Sequence, residues 1–483
     1  MHPVIAAPIV AGPVDAATWD GFVHALGRLG DWALDLGGQM GPYVPIAVAG
    51  TVVWLIWLTR ALLSWTAPAI ESDFRTTTSV VVPSYHEDVD ILMDCLATWR
   101  EQDPTEIIIV LDVADTEAHR RITALEDDRI QPILFHHVGK RSALGVGIRA
   151  AQGEILVLVD SDTRWTPGLL QNVQKPFVDP DVGGVSTQQN VYQRTSSLWR
   201  RVADWLVNLR YLDYVPAQGR FGAVACLSGR TAAYRASAAK PVVRDMEDEF
   251  FLGRRCIAGD DGRLTWLVLA SGYRTVHQRS AKALSMFPST FRAFVKQRVR
   301  WSRNSYRCYL TAIFKGWLWR VPAITKVTVL QILLTPVTMG MTIAYLLLSR
   351  LELTEAGIVA TVLWLVVTRG MRGISHLREH PLDIVILPVV VLVVIFVALP
   401  IKVFALVTMN KQGWLTRSAH SLGGDGQTST TLTAAAPVAE PALAAVPSRA
   451  LAAEPAGPVD PVDPVEPGGT VAPEHAASVE VAS

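Results

Sequence analysis

The sequence predicts an α/β domain built on a mostly parallel sheet and set between apolar helices long enough to cross a bilayer. Three observations carry this. Short apolar runs, TSVVVPSY, EIIIVLD and EILVLVDSD, alternate with helix-like stretches across residues 71–287, as strands joined by crossover helices do. Residues 43–65, YVPIAVAGTVVWLIWLTRALLSW, are nearly all apolar. Further apolar stretches follow near 323–349, 355–369 and 383–409.

Residues 43–65 would span roughly 34 Å as a helix, enough for a membrane crossing. Asp15, Asp20, Asp31 and Asp35 precede this segment, and Arg60 and Arg75 lie at its end or beyond. The positive-inside rule then puts the α/β domain in the cytoplasm. Ahead of it, in residues 1–42, Trp19, Phe22, Val23, Leu26, Leu29 and Trp32 recur at helical spacing. That spacing suits an amphipathic helix at a membrane surface or a plain surface helix. Residues 288–320 hold Arg292, Lys296, Arg298, Arg300, Arg303 and Arg307, interleaved with aromatics such as Trp301 and Tyr309, and no acid. They read as interfacial helices at lipid headgroups. The flanking apolar segments argue against a nucleic-acid partner. Of the segments across 323–409, the second is short for a full span. The third carries Pro400, where a helix tends to kink or end. Basic residues flank it on both sides, so it is expected to turn back or finish as an interfacial helix near Pro400. Residues 421–483, rich in Ala, Pro, Val and Glu, read as a disordered tail.

Lys and Arg total 44, as do Asp and Glu, so net charge points to no partner. The four cysteines form no CxxC pair and no metal-ligand spacing, which fits a reducing compartment.

Four motifs carry chemistry. In parallel α/β sheets, ligands bind at the carboxyl ends of strands, where Asp112, Asp160 and Asp162 fall. A hard divalent ion bridging Asp160 and Asp162 to a diphosphate would offset the cost of two adjacent carboxylates; a solvated turn is the plain alternative. Gly259-Asp260-Asp261 places a second acidic pair before a helix-like run, as a general base or as a helix cap. In Gln297-Arg298-Val299-Arg300-Trp301, helical spacing puts Gln297, Arg300 and Trp301 on one face. A guanidinium fork there suits a pyrophosphate and an indole suits a sugar ring, unless the helix only rests on the membrane. Lys140-Arg141 is a basic pair outside any Walker loop.

In their order, VVVPSYHED, IIIVLDVAD, GKR, VDSDT, CLSGRTAAYR, GDDGRLT, QRVRW and GWLTR, these pieces resemble the processive family 2 glycosyltransferases, the hyaluronan synthases most closely. The resemblance covers about residues 75–420. It implies a GT-A catalytic domain on the cytoplasmic face of the plasma membrane, inserted between transmembrane and interfacial helices of a multi-pass chain. Asp112 and Asp160 would contact the nucleoside part of a UDP-sugar and Lys140 its phosphates. Asp162 would bind Mg²⁺ or Mn²⁺, and Asp261 would be the general base. Gln297, Arg300 and Trp301 match the QxxRW signature for diphosphate and acceptor. Cys226, Ser228 and Gly229 fall in the segment from Ala217 to Arg235 expected at the acceptor. Trp414, Thr416 and Arg417, in a gating-loop-like segment over 410–420, match three of the four positions of WGTR. The implied function is polymerisation of UDP-GlcNAc and UDP-GlcA into a hyaluronan-like β-linked polysaccharide with export of the growing chain. The alternative is a chitin- or cellulose-type synthase with a single UDP-sugar. Leu415, Gly262 and Arg230-Thr231 depart from the hyaluronan pattern, and no oligomeric state is implied.

Overall fold

The computed structural model describes residues 44–136, 138–348 and 355–411, with helical positions scattered between 20 and 35. Trp19, Phe22, Leu26, Leu29 and Trp32, the gating-loop residues Trp414, Thr416 and Arg417, and the tail at 421–483 lie outside the described residues.

The first long helix, α1 (Val44–Trp65), has two apolar faces with different surroundings. Val48, Val52, Leu55 and Leu62 are exposed, a stripe suited to lipid. Trp57, Arg60, Ala61 and Ser64 are buried. Trp57 Nε1 donates to Asp213 Oδ2 at 3.1 Å and Ser64 Oγ to the Asp213 carbonyl at 2.6 Å, which pins the helix to the domain.

The domain is built on one eight-stranded sheet. Its strands are β1 (Thr78–Ser84), β2 (Glu106–Asp112), β3 (Ile130–Phe135), β4 (Ile155–Val159), β5 (Thr163–Trp165), β6 (Val182–Val191), β7 (Thr231–Arg235) and β10 (Arg274–Ser285), in the order β3-β2-β1-β4-β7-β6-β10-β5. A separate small hairpin pairs β8 (Phe250–Phe251) with β9 (Arg254–Arg255). The continuous apolar runs of β1, β2 and β4 follow from burial on both faces. Val81, Ile108 and Leu156 join one core, and Val80, Ile107 and Val157 the other, because successive strand residues point to opposite faces.

The sheet is more mixed than the sequence suggests. β1, β2, β3 and β4 are parallel, as are β6 and β10. However, β7 runs antiparallel between β4 and β6, and β5 antiparallel beside β10. Strand direction leaves no mark on the apolar pattern. β6, VGGVSTQQNV, also hides its burial: Ser186, Thr187, Gln188 and Gln189 are all inside, satisfied in part by bonds such as Thr187 Oγ1 to the Thr231 carbonyl at 2.7 Å.

Beyond the sheet, α2 (Lys140–Ala150) and α3 (Asp260–Ala270) pack on the domain core, and α4 (Phe291–Phe314) carries Gln297, Arg300 and Trp301. Thr290 caps α4 by accepting from the Ala293 N–H. Two apolar helices follow, α5 (Ala323–Leu348) and α6 (Glu355–Arg372). Among the described residues, three helices are long and apolar enough to cross a membrane: Ala47–Trp65, Ala323–Thr342 and Pro381–Val407.

The last of these corrects the expectation of a break at Pro400. The helix runs on to Val407. A π turn over Val393–Val397 contains Phe396, the residue whose carbonyl Pro400 leaves without its usual N–H donor. Both ends of the segment touch the domain. Asp383 pairs with Arg194, Arg201 and His376. At the other end, Arg303 Nε donates to Thr408 Oγ1 at 3.0 Å and Asn410 Nδ2 to the Leu252 carbonyl at 3.4 Å. Ile386, Leu387 and Val390 join the domain core while Leu382, Val385 and Phe396 remain exposed.

Candidate active site

Because β7 is antiparallel to β4, the turn that leads into β7 lies at the carboxyl end of β4. It carries Cys226, Ser228, Gly229 and Arg230 to the place where Asp160 and Asp162 emerge. The start of α3 and one face of α4 close the same space. The result is a cleft of about 1080 Å³, open to solvent. Lys140, Asp160, Asp162, Cys226, Ser228, Gly229, Asp261, Gln297, Arg300 and Trp301 all line it. Asp112 does not. It ends β2, two strand spacings from β4, or about 10 Å, and its Oδ1 accepts from the Ala114 N–H at 2.9 Å.

Lys140 opens α2 and ties the two acidic motifs together. Its Nζ lies 2.7 Å from Asp160 Oδ1 and 3.1 Å from Asp260 Oδ2. Burial alone would depress this ammonium, but the two carboxylates outweigh it and hold it above its ordinary value. Its neighbour Arg141 is no solvated partner. It is buried, pairs with Glu249 at 2.7 Å and donates to the carbonyls of Ala258 and Gly259. Arg141 thus clamps the loop that delivers Asp260 and Asp261. The sequence singled out the pair but gave no sign of this division of labour. Asp260, half of the second acidic pair, also lines the cleft, and so does Arg210, which the sequence did not single out. Only the fold brings Arg210 in.

Asp261 is held at both oxygens. Oδ1 accepts from the Gly262 N–H at 2.8 Å, and Oδ2 lies 3.7 Å from the Cys226 thiol. Burial pushes Cys226 up to about 12, so it stays a neutral donor. Each carboxylate oxygen retains a second lone pair for an acceptor hydroxyl. Gly262 has its own reason. A Cβ there would sit 2.8 Å from Cys308 Sγ, so an arginine has no room unless Cys308 moves.

The turn of Asp160-Ser161-Asp162 is fixed from below, where Ser161 Oγ donates to Glu87 Oε2 at 2.6 Å. Across the cleft, burial draws Arg300 below its usual range, partly offset by Asp160, Asp261 and their neighbours. Arg300 Nε and Gln297 Oε1 are buried with no protein partner, which suits groups awaiting a polar ligand.

The matched family is described as Glycosyltransferase like family 2 and covers residues 75–304. An N-acetylglucosaminyltransferase of Rhizobium leguminosarum bv. viciae is 30% identical over 385 residues, which is 75% of this chain and 88% of that protein. The chain belongs to the family 2 glycosyltransferases. Another relative, an N-acetylglucosaminyltransferase of Sinorhizobium fredii, is 30% identical over 375 residues, covering 74% of this chain and 88% of its own length. Among solved structures, a mannosyltransferase from Pyrobaculum calidifontis in complex with GDP-Man and Mn²⁺ superposes with a TM-score of 0.53 at 21% identity, covering 72% of this chain and 99% of that one. The fold of this glycosyltransferase is therefore GT-A, flanked by helices able to span a membrane.

Among the described residues, no group of three or more His, Cys, Asp or Glu forms a metal cage. Asp160 pairs with Lys140, and Asp162 lines the cleft beside it, where its carboxylate could offer oxygen to an ion. That donor set fits a hard divalent cation completed by diphosphate oxygens and water, and it does not fit a resident structural metal.

Proposed function

We propose that this glycosyltransferase is membrane-embedded and inverting, and that it transfers N-acetylglucosamine from UDP-GlcNAc onto a β-linked chain at the cytoplasmic face of the plasma membrane. The observation that carries the reading is the meeting of Asp162, Asp261, Arg300 and Trp301 in one cleft, beside helices able to span a bilayer. The names of the relatives, N-acetylglucosaminyltransferases throughout, favour this single-donor alternative over the two-donor, hyaluronan-like polymerisation. The two-donor reading rests on the likeness of LPIKVFALVTMNKQGWLTR to the segment before the WGTR loop.

The reaction is a single displacement. Asp261 takes the proton of the acceptor hydroxyl as its oxygen bonds to the anomeric carbon. The bond from that carbon to the diphosphate breaks, and UDP leaves with the electron pair. Arg300 and Gln297 meet the diphosphate, and Trp301 faces the acceptor sugar. A divalent ion, Mg²⁺ or Mn²⁺, would be held by Asp162 and would neutralise charge on the departing phosphates. Asp112 would reach the nucleoside, beyond the cleft proper. Inversion turns an α-linked donor into a β-linkage. The segment Pro381–Val407, with both ends against the domain, serves as an interfacial helix in this arrangement. It leaves the following residues, Trp414, Thr416 and Arg417 among them, on the catalytic side.

The test is UDP release and product analysis with protein in lipid, supplied with UDP-GlcNAc, UDP-GlcA or both, and Mn²⁺. Turnover with UDP-GlcNAc alone and a chitinase-sensitive product is expected. Polymer only with both donors would transfer the assignment to the hyaluronan-like reading.

A further inference from the structure

Away from the cleft, where the apolar helices join the domain, α1, α5 and α6 close around one arginine. Arg60, near the end of α1, is 1% exposed. Its Nη1 donates to Gln331 Oε1 on α5 at 2.7 Å, and its guanidinium lies 5.1 Å from the centre of the Tyr214 ring. Nε and Nη2 are buried with no protein partner. α6 lies against α1, since a Cβ on Gly50 would sit 3.0 Å from Trp364 Nε1. The last turn of α6 carries Arg369 and Arg372. Arg372 is within electrostatic reach of both Arg60 and Arg369, and its Nε is buried and unpartnered as well.

Three guanidiniums thus gather without a counter-charge. Among the described residues, no carboxylate pairs with any of them. Asp213, the acid that anchors α1, is engaged by Trp57 and Ser375. Burying a cation unpaired is costly, and the Tyr214 face offsets only part of that. Guanidinium forks match anionic oxygens, those of phosphate above all. The cluster stands at the ends of α1 and α6 that face the domain, which is the depth of lipid headgroups. Close by in sequence, Leu62 and Met371 are exposed and apolar, as contact with acyl chains requires.

We propose that Arg60, Arg369 and Arg372 form a binding site for the phosphate of an anionic membrane lipid, seated between α1, α5 and α6 on the domain's side of the bilayer. Basic pockets between membrane helices take lipid headgroups in this way. A neutral glycan in the same place would leave all three charges uncompensated. The proposal rests on the membrane placement read above and is independent of which sugar is transferred.

The test uses the full chain in neutral detergent, supplied with phosphatidylglycerol, phosphatidylcholine or inorganic phosphate. Native mass spectrometry measures bound lipid, and the melting temperature is followed in parallel. Phosphatidylglycerol should be retained and should raise the melting temperature, with phosphatidylcholine and inorganic phosphate far weaker. Arg60 also braces α1 through Gln331, so the deciding variant is Arg369→Gln/Arg372→Gln. It should melt as the wild type does without lipid and bind phosphatidylglycerol roughly tenfold more weakly. Equal phosphatidylglycerol affinity in variant and wild type would overturn the site. Equal stabilisation by inorganic phosphate would overturn the lipid as its source. A variant that loses binding of a chito-oligosaccharide but keeps phosphatidylglycerol would overturn it too, placing the arginines on the path of the product. Failure of the membrane placement would show separately, as release of the full chain from membranes by alkaline carbonate.

Discussion

A Cβ on Gly229 would lie 3.1 Å from Lys140 Nζ and 3.4 Å from Asp260 Oδ2. The bare backbone at this point is what lets one ammonium reach two aspartates. Gly229→Ala should push the lysine off its bridge while leaving the core unaltered, because the crowded atoms are ends of side chains. Losing one charge-assisted bond predicts a fall in turnover of about tenfold or more. Steady-state UDP release checks this, alongside a melting temperature that should scarcely change.

Asp261→Asn keeps the shape of the site and removes the proton acceptor. Turnover should fall by roughly 10² to 10⁴. UDP binding, followed by calorimetry, should persist. An equal loss of UDP affinity would assign Asp261 to donor binding instead.

Asp162→Asn should weaken the response to Mn²⁺. Turnover in saturating ion is expected to drop on the order of 10²-fold, as loss of several kcal/mol of charge stabilisation implies. Chelation should abolish wild-type activity and Mn²⁺ restore it. A variant with an unchanged Mn²⁺ titration would place the ion elsewhere.

Asp213 joins α1 to the domain, and its protonation should be visible in stability. Burial raises its carboxyl from 3.8 to about 6, against the hydrogen bonds from Ser375, Trp57 and Trp65 that lower it. For an acid raised in the folded state, the contribution is complete below the unfolded value and is lost as pH rises through about 6. The melting temperature of the wild type should therefore fall relative to Asp213→Asn as pH rises from about 4 to about 6, and level off above that. Parallel curves would exclude the carboxyl as the source.

The sequence was most legible where one physical demand dominated. β1, β2 and β4 are buried on both faces, so each is an uninterrupted apolar run, and the acids that follow β4 stand out. Gln297, Arg300 and Trp301 were legible because helical spacing alone puts them on one face. β6 was hidden because its buried residues are polar and their bonds come from β7, far along the chain. The direction of β7 was equally hidden, and with it the place of Arg230 in the cleft, which in the sequence is only a departure from a pattern. Arg141 looked like half of a surface pair, since its partners Glu249, Ala258 and Gly259 come together only in three dimensions. Pro400 misled for a local reason: the π turn before it absorbs what would otherwise end the helix.

The placement of β7 also bears on how the molecule is made. β4 and β6 leave the ribosome first, yet they are not neighbours in the finished sheet. They remain unjoined until β7 slips between them, carrying Gly229 and Arg230, and α3 and α4 arrive later still. A nascent chain that has released β6 holds Lys140 and both aspartates of the β4 turn, but lacks Asp261 and Arg300. On the proposed roles of those two residues, it cannot yet transfer a sugar. Such long-range insertion is slow compared with local pairing. Catalytic competence is thus a late acquisition in biogenesis, reached only once the chain is built through α4 and the apolar helices after it are ready to meet the membrane.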